Sequence, residues 1–226
     1  MPPRSDAIDE ETPAVHVPGG LRREMQLVGS HALKLFVPAD PDRLLDDPAV
    51  IEANARDDRM PYWAWSWHAA DLLLTALPEL LNHVPPGGTV CEIGCGLGRV
   101  ALAAAVLRPD CCVLAHDHDE TAIRLLATNA AANGLKLDAS VADWSAPVPA
   151  DLVLAADVLY ERRFHAPLLD RFARDLATGV SICVADPGRH EAGRFLTDAM
   201  AAGLPVDADD WQQGTGGLIR FAAKPT

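Results

Sequence analysis

Apolar and polar positions follow a repeating programme from Trp67 onward. HAADLLLTALPELLNHV places apolar residues at helical spacing and predicts a helix that breaks near Pro78. PPGG then turns into TVCEIG, a short apolar run of strand length. The programme repeats: helix LGRVALAAAVL, strand CCVLAHD, helix ETAIRLLATNAAANG, strand LKLDASVA, strand ADLVLAADVLY from Leu152, helix HAPLLDRFARDLATG, strand VSICVAD, and helix GRHEAGRFLTDAMAAG. Gly134, Gly179 and Gly203 stand where three of these helices should end. LPVDADDWQQ and GGLIRFAAK close the chain as two strands with no helix between them, which predicts a hairpin. Before Trp67 the pattern is mixed. HALKLFVPAD reads as a short strand, and PDRLLDDPAVIEANARDD as a short helix with Asp46 or Asp47 at its start and Pro48 in its first turn. Residues 1 to about 20 are Pro-rich and charged, and are expected to be loose.

Strands alternating with helices predict a mostly parallel sheet covered on both faces, with ligands beyond the carboxyl ends of its strands. The expected division is an N-terminal extension, partly flexible, over 1–60 and one α/β domain over 61–226. With 49% hydrophobic residues the chain can fill a large core. No run approaches the ~18 apolar residues of a membrane span, and the polar start MPPRSDAIDEETP has no signal-peptide core. The five cysteines lack paired zinc-ligand spacing, so the expectation is reduced, buried thiols in a cytoplasmic protein. A net charge of −13 argues against a phosphate backbone as partner. It is compatible with a basic or lysine-bearing protein substrate, but solubility alone accounts for it better.

The candidate chemistry begins at CEIGCGLGRV. Gly94, Gly96 and Gly98 expose main chain just where the first sheet strand gives way to a helix. Arg99 stands where GxGxxG would place its third glycine, and no GK[ST] follows, which excludes a phosphate-binding P-loop. Glu92, just before the glycines, would repel a pyrophosphate but suits a cationic amino acid. Asp117 ends the next strand, placed to accept from ribose hydroxyls. Asp143 and Trp144 end the third, an acid for an exocyclic amine beside an aromatic face. In that order, these residues point to S-adenosylmethionine. A nicotinamide cofactor and an inert strand–helix turn are the alternatives.

These residues resemble the seven-strand, Rossmann-like class I methyltransferases: EIGCGLG their first motif, AHD the acidic position after it, VADW the adenine segment. PYWAWSW, DVLYE and DPGR together resemble family 16 of these enzymes, a group that includes protein-lysine methyltransferases such as those directed at the electron-transfer-flavoprotein β-subunit. The resemblance implies an α/β, doubly wound seven-stranded sheet in the order 3-2-1-4-5-7-6 with a C-terminal antiparallel hairpin. It implies S-adenosylmethionine as cofactor and S-adenosylhomocysteine as product; the charge, the apolar-run lengths and the histidine spacing add the expectation of no nucleic acid, membrane or metal. Protein lysines would be the acceptors. A small-molecule N- or O-methyltransferase and a non-catalytic binding module are the other readings.

Within it, Asp157 and Tyr160 of DVLY take the catalytic places, Asp157 as a positioning acceptor and Tyr160 as a wall of the lysine slot. Trp67, Glu92, Gly94, Gly96, Gly98, Asp117, Asp143 and Trp144 are the expected cofactor contacts. Trp63, Trp65 and Trp67 alternate, so an extended segment would point all three to one side. They form either a lid over the methionine end of the cofactor, with Trp63 and Trp65 expected at the substrate, or simple packing of the extension on the core. Arg189 of DPGR either meets substrate or is a salt-bridged connection. His116-Asp117-His118-Asp119 lacks a third histidine at ligand spacing. Arg162, Arg163 and His165 read as a solvated helix start or a greeting for an acidic partner, and Cys95 as a small packed residue or a reactive thiol.

Overall fold

The computed structural model describes residues 15–222. The expectation of a loose N-terminus therefore lies, for residues 1–14, outside the described residues. The chain opens with a two-stranded antiparallel hairpin, β1 (Leu21–Val28) and β2 (His31–Pro38). A 3₁₀ turn (Pro41–Asp46) leads to α1 (Pro48–Asp57). Asp47 caps α1: its Oδ1 accepts from Ala49 N at 2.8 Å, and Pro48 opens the first turn. A 3₁₀ turn at Tyr62–Ala64 then enters α2 (His68–Asn82).

β3 (Thr89–Ile93), α3 (Arg99–Leu107), β4 (Cys112–Asp117), α4 (Glu120–Ala132), β5 (Asp138–Val141) and β6 (Leu152–Ala156) follow. After them come α5 (His165–Ala177), β7 (Ser181–Asp186), α6 (His190–Ala201), β8 (Val206–Asp207) and β9 (Gly217–Phe221). The last seven strands form one sheet in the order β5-β4-β3-β6-β7-β9-β8. The numbers differ from the expected 3-2-1-4-5-7-6 because the hairpin takes the first two. Counted from β3 as the first sheet strand, the observed order has that sequence. All pairings are parallel except those of β9 with β7 and β8.

Each central strand is apolar on both faces because both faces are covered. In β6, Leu152 and Leu154 join Leu73, Leu77, Leu102 and Leu125 of α2, α3 and α4. Val153 and Ala155 join Leu168, Phe172 and Phe195 of α5 and α6. The three helix-ending glycines close their helices with paired main-chain bonds. At the end of α4, Gly134 N donates to Ala131 O and Leu135 N to Ala130 O.

Four expectations need correction. β1 and β2 make a hairpin where one strand was expected, and Leu33, Leu35 and Val37 of β2 pack into the same apolar cluster as α2–α4. α4 lends that hairpin its partners. Asn129 Oδ1 accepts from Phe36 N at 2.7 Å and its Nδ2 donates to Phe36 O at 3.0 Å. One turn on, Asn133 does the same for Lys34, at 2.8 and 2.7 Å. Second, α2 does not break at Pro78, which sits inside the helix on its exposed side. The carbonyl that proline leaves without a donor can turn to water there. Third, β6 stops at Ala156, because Asp157 takes a left-handed φ of 56°. Fourth, LPVDADDWQQ contributes only the two-residue β8.

Candidate functional site

The carboxyl ends of β3, β4, β6 and β7 converge on a cavity of about 480 Å³. A second, of about 270 Å³, adjoins it and shares Asp58, Met60, Tyr62, His118, Trp144, Tyr160 and Glu161 with it. The glycine turn forms the floor of the larger one. Gly94, Gly96 and Gly98 all have positive φ, of 62°, 49° and 70°. A Cβ on Gly94 would stand 3.0 Å from Val158 and 3.1 Å from Trp144 Nε1, so only glycine leaves this floor open. Gly98 is different: it does not line the cavity. It starts α3 against Leu126 of α4, and serves packing.

Glu92 is buried yet lines the cavity, and its Oε2 accepts from Ala101 N in the first turn of α3 at 2.7 Å. Desolvation pushes its carboxyl up to about 8, with the Asp117 charge adding to the effect. Asp117 ends β4 with both oxygens on the main chain: Oδ2 accepts from Gly96 N at 2.8 Å, Oδ1 from Asp119 N at 3.0 Å. It therefore pins the glycine turn. Burial raises its pKa as well.

Trp144 lines both cavities, and its buried Nε1 has no hydrogen-bond partner. Asp143 faces only the smaller cavity, where Oδ1 accepts from Ser145 N and Oγ. The main chain of this loop is gripped from α5. Arg171, fully buried, donates through Nη1 to Trp144 O at 3.0 Å and Ala146 O at 2.5 Å, and through Nε to Asp175 at 2.5 Å. Arg174 adds a bond to Ser145 O at 3.2 Å.

The three tryptophans do not alternate along an extended strand, because Tyr62–Ala64 is a 3₁₀ turn. All three nonetheless line the larger cavity. Trp63 is buried in the core, Trp65 is half-buried, and Trp67 is the most exposed, its Nε1 donating to Tyr62 O at 2.8 Å. Asp157 and Arg189, given separate roles in the sequence, form one forked pair: Nε to Oδ1 at 2.6 Å and Nη2 to Oδ2 at 2.7 Å. Asp157 is thus not a bare acceptor, and Arg189 is salt-bridged while lining the same cavity. Tyr160 is a wall of both cavities, edge-on to Tyr62 at 5.3 Å and Trp144 at 6.0 Å. Burial pushes its phenol up, so it stays neutral.

The sequence reading missed Tyr62 and Arg99, both at the cavity. The chain has only two tyrosines, and they meet across the site. Arg99 bonds Gln26 of β1, Ser66 and Asp71, tying the hairpin, the tryptophan segment and α2 to the glycine turn. Its place in the glycine motif was the available signal. Cys95 is buried and its thiol is pushed well up by desolvation, which leaves a packed residue. Arg163 holds Glu161 and Asp58 across the smaller cavity. Among the described residues no group of three or more His, Cys, Asp or Glu is placed to hold a metal ion.

A parallel sheet with glycine main chain and a strand-end acid at its switch point defines a nucleotide- or nucleoside-binding α/β class. A family model described as lysine methyltransferase matches residues 65–200, and the chain belongs to that family. It is 33% identical over 182 residues to the electron transfer flavoprotein beta subunit lysine methyltransferase of Danio rerio, covering 73% of this chain and 67% of that protein. To the Xenopus laevis protein of the same description it is 30% identical over 142 residues, covering 57% and 53%. The chain thus spans about half to two thirds of these relatives. The solved ribosomal protein L11 methylase of Lactobacillus delbrueckii subsp. bulgaricus shares the fold, with a TM-score of 0.57 at 20% identity, covering 71% of this chain and 81% of that one.

Proposed function

We propose that this chain transfers a methyl group from S-adenosylmethionine to lysine side chains of a protein. One observation carries the reading: glycine main chain, opened by left-handed φ, is held to the strand-end carboxylate of Asp117 on the floor of a cavity walled by aromatics. The residues fit the cofactor. The floor would be filled by any Cβ at Gly94, and the partnerless Trp144 Nε1 lies beside it. When bound, the cofactor supplies an electrophilic methyl on a good leaving group. The chain's own residues then bind, orient and exclude water. Asp117 would receive the ribose, the Asp143–Trp144 loop the base, and Glu92 would face the aminoacyl end. Tyr160, Tyr62 and Trp67 would wall the acceptor slot beside Asp157.

The family membership and the flavoprotein-directed relatives support lysine in a protein as the acceptor. Titration calorimetry with S-adenosylhomocysteine tests the cofactor site, and a folded chain giving no heat would overturn it. Labelled-cofactor transfer into lysate, before and after protease treatment, separates a protein acceptor from a small molecule. Asp157→Ala should cut turnover strongly while leaving S-adenosylhomocysteine affinity within about twofold. Loss of cofactor affinity instead would remove Asp157 from the acceptor side.

A further inference from the structure

The turn after β7 is built to hold one side chain still. Asp186 Oδ1 accepts from Gly188 N and Arg189 N, both at 2.7 Å, and from Trp211 Nε1 at 3.4 Å. A Cβ on Gly188 (φ 93°) would lie 2.6 Å from the backbone nitrogens of Gly214 and Gly216, so the turn is wedged against the β8–β9 connection. Arg189 is thereby laid across Asp157, with its guanidinium carbon 5.8 Å from the Trp67 ring centroid. Asp157 is fixed as firmly. Its N–H donates to Ala185 O at 2.9 Å, and its left-handed backbone costs on the order of 1 kcal/mol. Two adjacent parallel strands thus deliver opposite charges to one spot on the cavity wall.

A bare carboxylate there would hold an incoming lysine as its ammonium, which has no lone pair to attack a methyl group. The forked guanidinium absorbs that charge and sets a like charge beside the amine. We propose that the Asp157–Arg189 pair is a charge-neutral plate that admits the acceptor lysine as the free amine, with Arg189 the positioning residue that sets its protonation state. The inference rests on the lysine reading above. The ammonium gives its proton to solvent on entry. The nitrogen lone pair then forms the N–C bond as the C–S bond breaks to leave the thioether, and the product departs as an N-methylammonium.

The surrounding charges do not substitute for Arg189. Arg99 is held by Gln26, Ser66 and Asp71, and Arg163 by Glu161 and Asp58. His118 lies against Asp117, 3.3 Å away. Asp186 beneath the turn is fully buried and its pKa is raised by desolvation, as is that of Glu92 across the cavity. Tyr160 stays neutral.

The test is calorimetry of n-butylamine, a lysine side-chain mimic, with protein saturated in S-adenosylhomocysteine at pH 8. Two buffers of unequal ionisation enthalpy give the proton count. In solution the amine is an ammonium at this pH, so the wild type and Arg189→Lys should each release about one proton per amine bound. Arg189→Gln should release close to none and bind about tenfold tighter, as an ammonium on a bare carboxylate. Equal proton release in Arg189→Gln and wild type overturns the proposal, as does wild-type binding without release or no wild-type binding. Failure of S-adenosylhomocysteine to bind is a separate result, and it would strike the cofactor reading itself.

Discussion

Arg171 joins stability and site in one side chain. Replace it with methionine, which keeps the length and loses the charge. Asp175, 5% exposed, is then a buried carboxylate without its partner, at a cost of about 3–5 kcal/mol. The Trp144 and Ala146 carbonyls each lose a donor, at about 1 kcal/mol apiece. Together these consume much of the ~5–15 kcal/mol that holds a domain folded. The double variant Arg171→Met/Asp175→Leu removes the stranded charge and leaves only the two carbonyls, about 2 kcal/mol. The second substitution should therefore restore about 3–5 kcal/mol to the first. Urea denaturation followed by tryptophan fluorescence reads this, since Trp144 sits at the perturbed point. Calorimetry should show S-adenosylhomocysteine binding weakened about tenfold in the double variant, because the Asp143–Trp144 loop has lost its grip. A double variant no more stable than the single would refute the reasoning.

Three further expectations follow from the geometry. Glu92 keeps its proton longer in the folded state than in the unfolded one, so its contribution is full below pH 4.5 and declines as pH rises toward about 8; Glu92→Gln should flatten that decline relative to wild type in unfolding curves at pH 5 and pH 8. Gly188→Ala meets backbone that cannot yield, whereas a Cβ at Gly98 meets the end of the Leu126 side chain, so thermal melts should place Gly188→Ala well below Gly98→Ala. Asn129→Ala should expose the Phe36 amide to hydrogen exchange, with a loss of roughly 1–3 kcal/mol because Asn129 is fully buried; unchanged protection at Phe36 would mean the side chain is not its partner.

The doubly wound core was legible because its signals are local. Apolar runs of strand length alternate with helical periods, and Gly134, Gly179 and Gly203 mark the ends. The hairpin was half hidden because LRREMQLV breaks its own alternation. Gln26 is buried where a hydrophobic residue would have signalled a strand, and its burial is made tolerable by Arg99, 73 residues away. The site was legible as a set of residues and not as a set of partners. Asp157 and Arg189 were each visible in DVLY and DPGR. Their pairing depends on β6 and β7 lying side by side, which no local pattern contains. The tryptophan segment misled because alternation was read as extension, while three residues of 3₁₀ turn broke it.

The two asparagines of α4 work as a vernier. Four helix residues rise about 6 Å and two strand residues span about 6.8 Å, close enough for Asn129 and Asn133 to engage Phe36 and Lys34 together. A slip of β2 by one residue would break both engagements at once. The ribbon's alignment is thus dictated from outside by a helix that begins just after Asp117. With Phe36 and Lys34 engaged in this way, that stretch of the border offers fewer free main-chain groups to a stray strand from another molecule.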